Sequence, residues 1–310
     1  MLQPKRLHHG VSHARQFLRA VQIDDDQMPA PPRLPTGRIV NVPSRGEMFL
    51  REAPGPTGSP AVVLLHGWTL SADLNWFSGG YRVASSHGPM IAPDLRGHGR
   101  GLRSVEPFTL EAAADDVAAL ITHLELGPVV LVGYSLGGSV ALLAGRRHPE
   151  AVAGLVLVST GLQWRASTRE RALWKLLGGV EYVLRFGAPK GITDRYLRQA
   201  MVEAPDLKPL RGWLKAEARR GDAADIAAAA RALSAFDARS FAGSLDVPAA
   251  VVVTKKDRLI RAVRQRDLAQ ALPRAQSVDL EGAHNAWLVR PDRFAAALDR
   301  ALTLVSPDAS

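Results

Sequence analysis

Residues 129–145 read VVLVGYSLGGSVALLAG, and no other stretch constrains the fold of this chain so closely. Val129 to Tyr134 is a nearly continuous apolar run, as expected for a strand buried on both faces. Leu136 to about Arg147 has the small and apolar residues of a closely packed helix. Between them, Gly133-Tyr134-Ser135-Leu136-Gly137 has the spacing G-x-S-x-G. A strand that turns so sharply into a helix brings chain segments together. Gly133 and Gly137 remove the Cβ atoms that would clash, and Gly138 gives the helix room to approach the sheet. Ser135 is then a hydroxyl carried past the carboxyl end of a strand, the edge at which open α/β sheets bind ligands.

The flanking sequence has the alternation that such a sheet requires. A hairpin is expected over Arg38 to Ala53, around Ser44-Arg45-Gly46. Strands are expected at Ala61–His66, Met90–Asp94, Val152–Thr160, Pro248–Asp257 and Ala275–Gly282. Helices are expected at Thr109–Leu126, with Thr109 as N-cap, at Ala262–Leu272 and at Pro291–Leu304. Strands alternating with helices imply an α/β fold with a mostly parallel sheet flanked by helices. The alternation stops at Leu162 and resumes after Phe241. That stretch is rich in Ala and Arg, carries Trp164, Trp174 and Trp213, and reads as helical. It is too long for an ordinary loop, so 162–241 is expected to be an inserted helical cap or lid. The core is then 38–161 together with 242–310. Residues 1–37 form an N-terminal extension and a Pro-rich linker.

Composition closes off several function classes. The 310-residue chain has no Cys, so disulfides, thiol catalysis and Cys-ligated metals are excluded. Its net charge of +9 comes from basic residues, mostly Arg, that are spread along the sequence. A diffuse charge of this kind reads as a solvated surface, and no nucleic-acid partner is expected. No apolar run has the length of a membrane span, and no apolar signal region follows the basic N-terminus. A cytoplasmic location is expected. Arg6 to Val21 reads as a surface helix or frayed tail, with weak membrane-surface contact through its basic face as the alternative.

A serine hydroxyl needs a base to take its proton. His284 lies in LEGAHNAWLVRPDRF, between the last strand and the last helix, at the same sheet edge as Ser135. Asp257 directly follows AAVVVTKK and would orient that base. Asp246 and Asp279 are its rivals, the first ahead of its strand and the second inside one. The order Ser135, Asp257, His284 is the one expected for groups on successive strand ends of such a sheet.

Acyl transfer also needs donors for an oxyanion. The backbone N–H of Leu136, at the start of a helix, is one. The N–H of Trp68, in the HGWTL loop after the first long strand, is the other. His66 is expected to brace that loop. Leu70, Trp76, Tyr134 and Trp164 are candidates to line the substrate pocket, with core packing as the alternative. Asp94 and His98 in APDLRGHGRG have no third metal ligand in view. Its three alternate glycines point to a tight loop fixed by Arg96 and Asp94. No metal or other cofactor is expected.

LLHGW, APDLRGHGRG, GYSLGG, VVVTKKDRLI and GAHNAW occur in an order that resembles the α/β-hydrolase superfamily, over about Arg38 to Leu304. The sequence looks most like the capped bacterial esterase and lipase-like branch. The resemblance implies an eight-stranded sheet with one antiparallel strand near its start. It also implies Ser135 as nucleophile, His284 as base then acid, Asp257 as orienting acid, and Trp68 and Leu136 N–H as oxyanion hole. A serine at this position argues against the relatives that use a carboxylate nucleophile. The expected activity is hydrolysis of a small, fairly apolar carboxylic ester through an acyl-enzyme. The alternatives are C–C bond, lactone or amide hydrolysis, cofactor-free perhydrolysis, or a non-catalytic binding protein on the same fold.

Overall fold

The computed structural model describes residues 31–164 and 199–306. The expected basic helix at Arg6–Val21 and Trp174 of the insertion lie outside the described residues. Eight strands form one sheet: β1 (Thr36–Val42), β2 (Gly46–Ala53), β3 (Val62–Leu65), β4 (Met90–Pro93), β5 (Val129–Tyr134), β6 (Val152–Val158), β7 (Ala249–Thr254) and β8 (Ala275–Leu280). Their order is β1-β2-β4-β3-β5-β6-β7-β8. β2 pairs antiparallel with both β1 and β4, and all pairings from β4 to β8 are parallel.

The alternation of side chains along the central strands builds two apolar layers. Val63, Leu65, Val129 and Leu131 face one layer, beneath the helices Leu110–His123, Leu136–Arg147 and Ala262–Ala271. Val62, Leu64, Val130 and Val132 face the other, beneath Gly80–His87 and Pro291–Val305. This is why the central strands read as unbroken apolar runs: both faces are covered.

The chain proceeds from β3 to β4 on one side and then places β5 on the other side of β3. The segments after β3 and β5 therefore pack on opposite faces of the sheet and leave a crevice at its carboxyl edge. Sequence periodicity did not reveal two short helices after β3, Ala72–Trp76 and Gly80–His87. At five and eight residues, they are too short for a helical repeat to emerge. The first is capped by Ser71, whose side chain accepts the N–H of Leu74.

Between β6 and β7, the described part of residues 162–241 holds a 3-10 helix at Pro205–Leu210 and α-helices at Arg211–Glu217 and Ala223–Ala235. Trp213 and Leu214 join the Phe77 side of the core, and Ala229 and Leu233 join the layer beneath Leu136–Arg147. No helix among the described residues is long and apolar enough to cross a membrane.

Candidate active site

Strand register sets the site. Leu65 of β3 pairs with Gly133 of β5, so Trp68 and Leu136, each three residues further on, leave adjacent strands in step. Tyr134 pairs with Val158, Val158 with Val252, and Thr254 with Leu280, which brings the ends of β5 to β8 to one edge.

Ser135 has a positive φ of 53° with ψ −111°, a strained conformation for a residue with a Cβ. Its N–H donates to Val158 O at 2.9 Å, and its carbonyl accepts Gly138 N–H at 3.0 Å. Those two bonds hold the turn. Space enforces it: a Cβ on Gly137 would lie 2.1 Å from Leu65 O, and one on Gly133 would lie 2.4 Å from Gly137 O.

His284 reaches both of the groups expected for it. Its Nε2 is 3.2 Å from Ser135 Oγ, and its Nδ1 is 2.7 Å from Asp257 Oδ2. The carboxylate accepts a proton only from Nδ1–H, so Nε2 is left to accept from the serine hydroxyl. Asp257 Oδ1 accepts the N–H groups of Leu259 and Ile260 at 2.8 and 2.9 Å. Tyr134 hydroxyl donates to the carbonyl of His284 and so helps fix the loop that carries it. Of the rival acids, Asp279 lies half-exposed and pairs with Arg266 at 3.0 Å, and Asp246 precedes β7 at the opposite edge.

Two residues of this site had no signature in the sequence. Thr254 Oγ1 donates to Asp257 Oδ2 at 3.0 Å, and Gln265 Nε2 lies 3.4 Å from the same oxygen. Both are buried. Gln265 is eight residues past the acid on a largely polar helix, so only the three-dimensional placement shows what it touches. Ser159, at φ 52°, hydrogen-bonds Thr254 Oγ1 at 3.1 Å and extends the buried chain to the end of β6.

The HGWTL loop is braced as expected. Leu95 N–H donates to His66 Nε2 at 2.9 Å, so Nδ1 carries the proton and donates to Gly67 O. Burial lowers the His66 pKa and keeps the ring neutral. Asn75 Oδ1 accepts Gly67 N–H at 2.9 Å. Trp68 is partly exposed, and its indole N–H donates to Ile226 O at 2.8 Å. Leu70 is also partly exposed. Trp76 is fully buried between Tyr134 and Phe294, and Trp164 is buried with its indole donating to Ser139 Oγ at 3.0 Å.

In APDLRGHGRG, Asp94 uses one oxygen on Ala72 N–H and the other on Arg100 N–H, each at 2.7 Å. Arg96 grips Asp116 with two bonds of 2.6 and 2.9 Å. Burial, with the His66 ring nearby, lowers the His98 pKa to about 3. Arg100 continues to Asp73 at 2.6 Å, where Arg51 also binds. Burial alone would raise the Asp73 pKa; hydrogen bonds and charge from these two arginines hold it below its ordinary value.

Comparison with known proteins agrees with this architecture. The family described as alpha/beta hydrolase fold matches residues 60–291. A pimeloyl-[acyl-carrier protein] methyl ester esterase of Neisseria meningitidis is 31% identical over 245 residues, covering 78% of this chain and 93% of that protein. A thermophilic esterase of Thermogutta terrifontis superposes with a TM-score of 0.71 at 26% identity, covering 87% of this chain and 99% of the other. An enol-lactonase of Burkholderia xenovorans has a TM-score of 0.72 at 22% identity, covering 86% and 100%, and shares the fold. With the family match spanning most of the sheet and both of its covering layers, the chain belongs to the α/β-hydrolase family.

Proposed function

We propose that this enzyme hydrolyses carboxylic esters with Ser135 as nucleophile, His284 as general base and acid, and Asp257 as the acid that orients it. The observation that carries the reading is the position of His284, hydrogen-bonded to Asp257 through Nδ1 and to Ser135 through Nε2. Ser135 Oγ attacks the ester carbonyl as its proton passes to His284 Nε2. The N–H groups of Trp68 and Leu136 receive the oxyanion. As the C–O bond breaks, His284 returns the proton to the leaving alkoxide. Water then gives a proton to His284 and attacks the acyl carbon, and the proton returns to Ser135 Oγ as the acid departs. Every proton is accounted for by these side chains and water, and the cycle calls on no cofactor.

The stretch 162–241 is the cap in this reading. Of the candidate lining residues, Leu70 is partly exposed, as is Trp68, and these favour a fairly apolar acyl or alcohol group; Trp76, Tyr134 and Trp164 are buried in packing contacts. The esterase names of the relatives support this chemistry. Short p-nitrophenyl esters test it. Ser135→Ala is expected to lower kcat by at least about 10⁴-fold, because base and acid then have no nucleophile to serve. Near-normal turnover in that variant would sink the assignment.

A further inference from the structure

We infer that the oxyanion loop is held in its working geometry by the insertion, with Glu217 as the positioning residue. The inference rests on the proposed role of Ser135 and Trp68. It begins with a carboxylate that has no packing reason to be where it is. Glu217 ends the helix Arg211–Glu217, yet it is buried against the core of the molecule. Burying a charge is costly unless hydrogen bonds and opposite charges replace the lost water. Here they do. Oε1 accepts the Ser71 hydroxyl at 2.6 Å and approaches Arg100 at 3.4 Å, and Oε2 accepts Arg220 at 2.8 Å.

Ser71 has a single hydroxyl proton. Giving it to Glu217 aims the oxygen lone pairs at Leu74 N–H, 3.1 Å away, which caps the helix Ala72–Trp76. That helix is pinned a second time, through Ala72 N–H to Asp94. Its Asn75 then holds Gly67 N–H, the peptide group just ahead of Trp68. A continuous chain of bonds thus runs from Glu217 through Ser71, the short helix and Asn75 to the loop that offers the Trp68 N–H.

The insertion grips the same loop from the other side. Trp68 indole N–H donates to Ile226 O, in the first turn of the helix Ala223–Ala235. Asp222, which caps that helix, donates its own N–H to Gly97 O at 2.8 Å. Segment 217–226 therefore touches the oxyanion loop at Trp68 and, just past it, Ser71, and also touches the neighbouring loop after β4 at Gly97. A wall that only enclosed substrate would manage with apolar contacts. Two directional bonds, at Trp68 and Ser71, fix the loop in orientation as well as in distance.

The test separates positioning from packing. Glu217→Leu removes the acceptor and the charge, and Ser71→Ala removes the same bond from its other end, together with the cap on Leu74 N–H, while leaving Arg100 and Arg220 on Glu217. Both are expected to lower kcat for a p-nitrophenyl ester by about tenfold, below the 10²–10³-fold cost of deleting an oxyanion donor outright. KM should stay within about twofold, since ground-state binding does not use that donor. Affinity for a trifluoromethyl ketone, whose adduct carries the oxyanion, should fall by the same factor as kcat. Glu217→Gln retains an acceptor for Ser71 and should recover most of the loss. Higher KM at unchanged kcat, or a kcat loss with unaltered ketone affinity, would overturn the inference. So would wild-type kinetics in Ser71→Ala, which decides the matter if Glu217→Leu fails to fold. Labelling of wild type, and not of Ser135→Ala, by a fluorophosphonate checks the underlying reading separately: an unlabelled wild type overturns both.

Discussion

Thr254 and Gln265 hold each other through two hydrogen bonds: Thr254 N–H donates to Gln265 Oε1 at 2.9 Å, and Gln265 Nε2 donates to Thr254 Oγ1 at 2.8 Å. Thr254 Oγ1, which accepts from Nε2, has one proton of its own to give, and Asp257 Oδ2 at 3.0 Å is nearer to it than Gln265 Oε1 at 3.2 Å. Gln265 Nε2 also donates to Ile260 O at 2.6 Å, which closes the loop after the acid. The orientation of Asp257, and through it of His284, depends on an uncharged amide.

Gln265→Leu should therefore reduce kcat by about tenfold, the scale of one lost hydrogen bond to a charged network. Gln265→Glu has a different signature. It sets a second carboxyl where Nε2 now lies, 3.4 Å from Asp257 Oδ2. Two like charges at that distance resist joint ionisation, so one proton is retained to higher pH. The acid limb of the kcat/KM profile should move upward in pH. A profile superimposable on wild type would show that Gln265 does not act on Asp257.

The sheet and the Ser135, Asp257, His284 sequence order were legible because each rests on a local pattern: an apolar run, a glycine-constrained turn, an acid placed just after a strand. Thr109 caps its helix as read, its Oγ1 accepting Ala112 N–H at 3.0 Å. Gln265, Asn75 and Glu217 left no such trace. Each is a single polar residue in a helix, an unremarkable pattern in sequence, and its meaning comes from a partner that the fold brings from elsewhere. For Glu217 that partner, Ser71, is 146 positions away.

His98 gives a pH dependence with a definite sign. Its folded pKa is lowered from an ordinary 6.5 to about 3 by burial first, then by the nearby His66. Between those values the unfolded chain binds a proton there and the folded chain does not. Stability is therefore lost as pH falls through that window, with a slope of up to one proton, about 1.4 kcal/mol per pH unit. In His98→Asn that proton has no site. The free energy of unfolding, measured with urea from pH 8 to 4, should fall less steeply in the variant. Parallel curves would refute the assignment.

The buried pair of Arg96 and Asp116 makes a prediction about stability. Both side chains are less than a tenth exposed. Asp116→Ala strands a guanidinium, with an expected loss of about 3–5 kcal/mol. At roughly 2–4 °C per kcal/mol for a chain of this size, thermal denaturation should show a clear drop in Tm. Replacing both, as Arg96→Met with Asp116→Leu, leaves no buried charge behind, only the partly exposed Arg45 that also reaches Asp116 at 3.4 Å, and should restore most of it. A double variant as unstable as the single one would mean that the pair contributes more than mutual compensation.

The elbow glycines are not equivalent, and substitution should reveal the order. A Cβ at Gly137 would face backbone, 2.1 Å from Leu65 O and 2.8 Å from His66 O, and neither strand end can retreat without disturbing β3. At Gly138 the obstruction is a side chain, with Thr160 Cγ2 at 2.5 Å and Cβ at 2.8 Å. Gly138→Ala should cost about 1–3 kcal/mol, the range for overpacking a tight contact. Adding Thr160→Ala removes Cγ2 and should return part of that stability. Gly137→Ala should cost more and should not respond to Thr160→Ala. It should also lower the rate of fluorophosphonate labelling, because the Cβ displaces the turn that holds Ser135. Equal Tm values for the two single variants would contradict the assignment of Gly137 to the close approach between helix and β3.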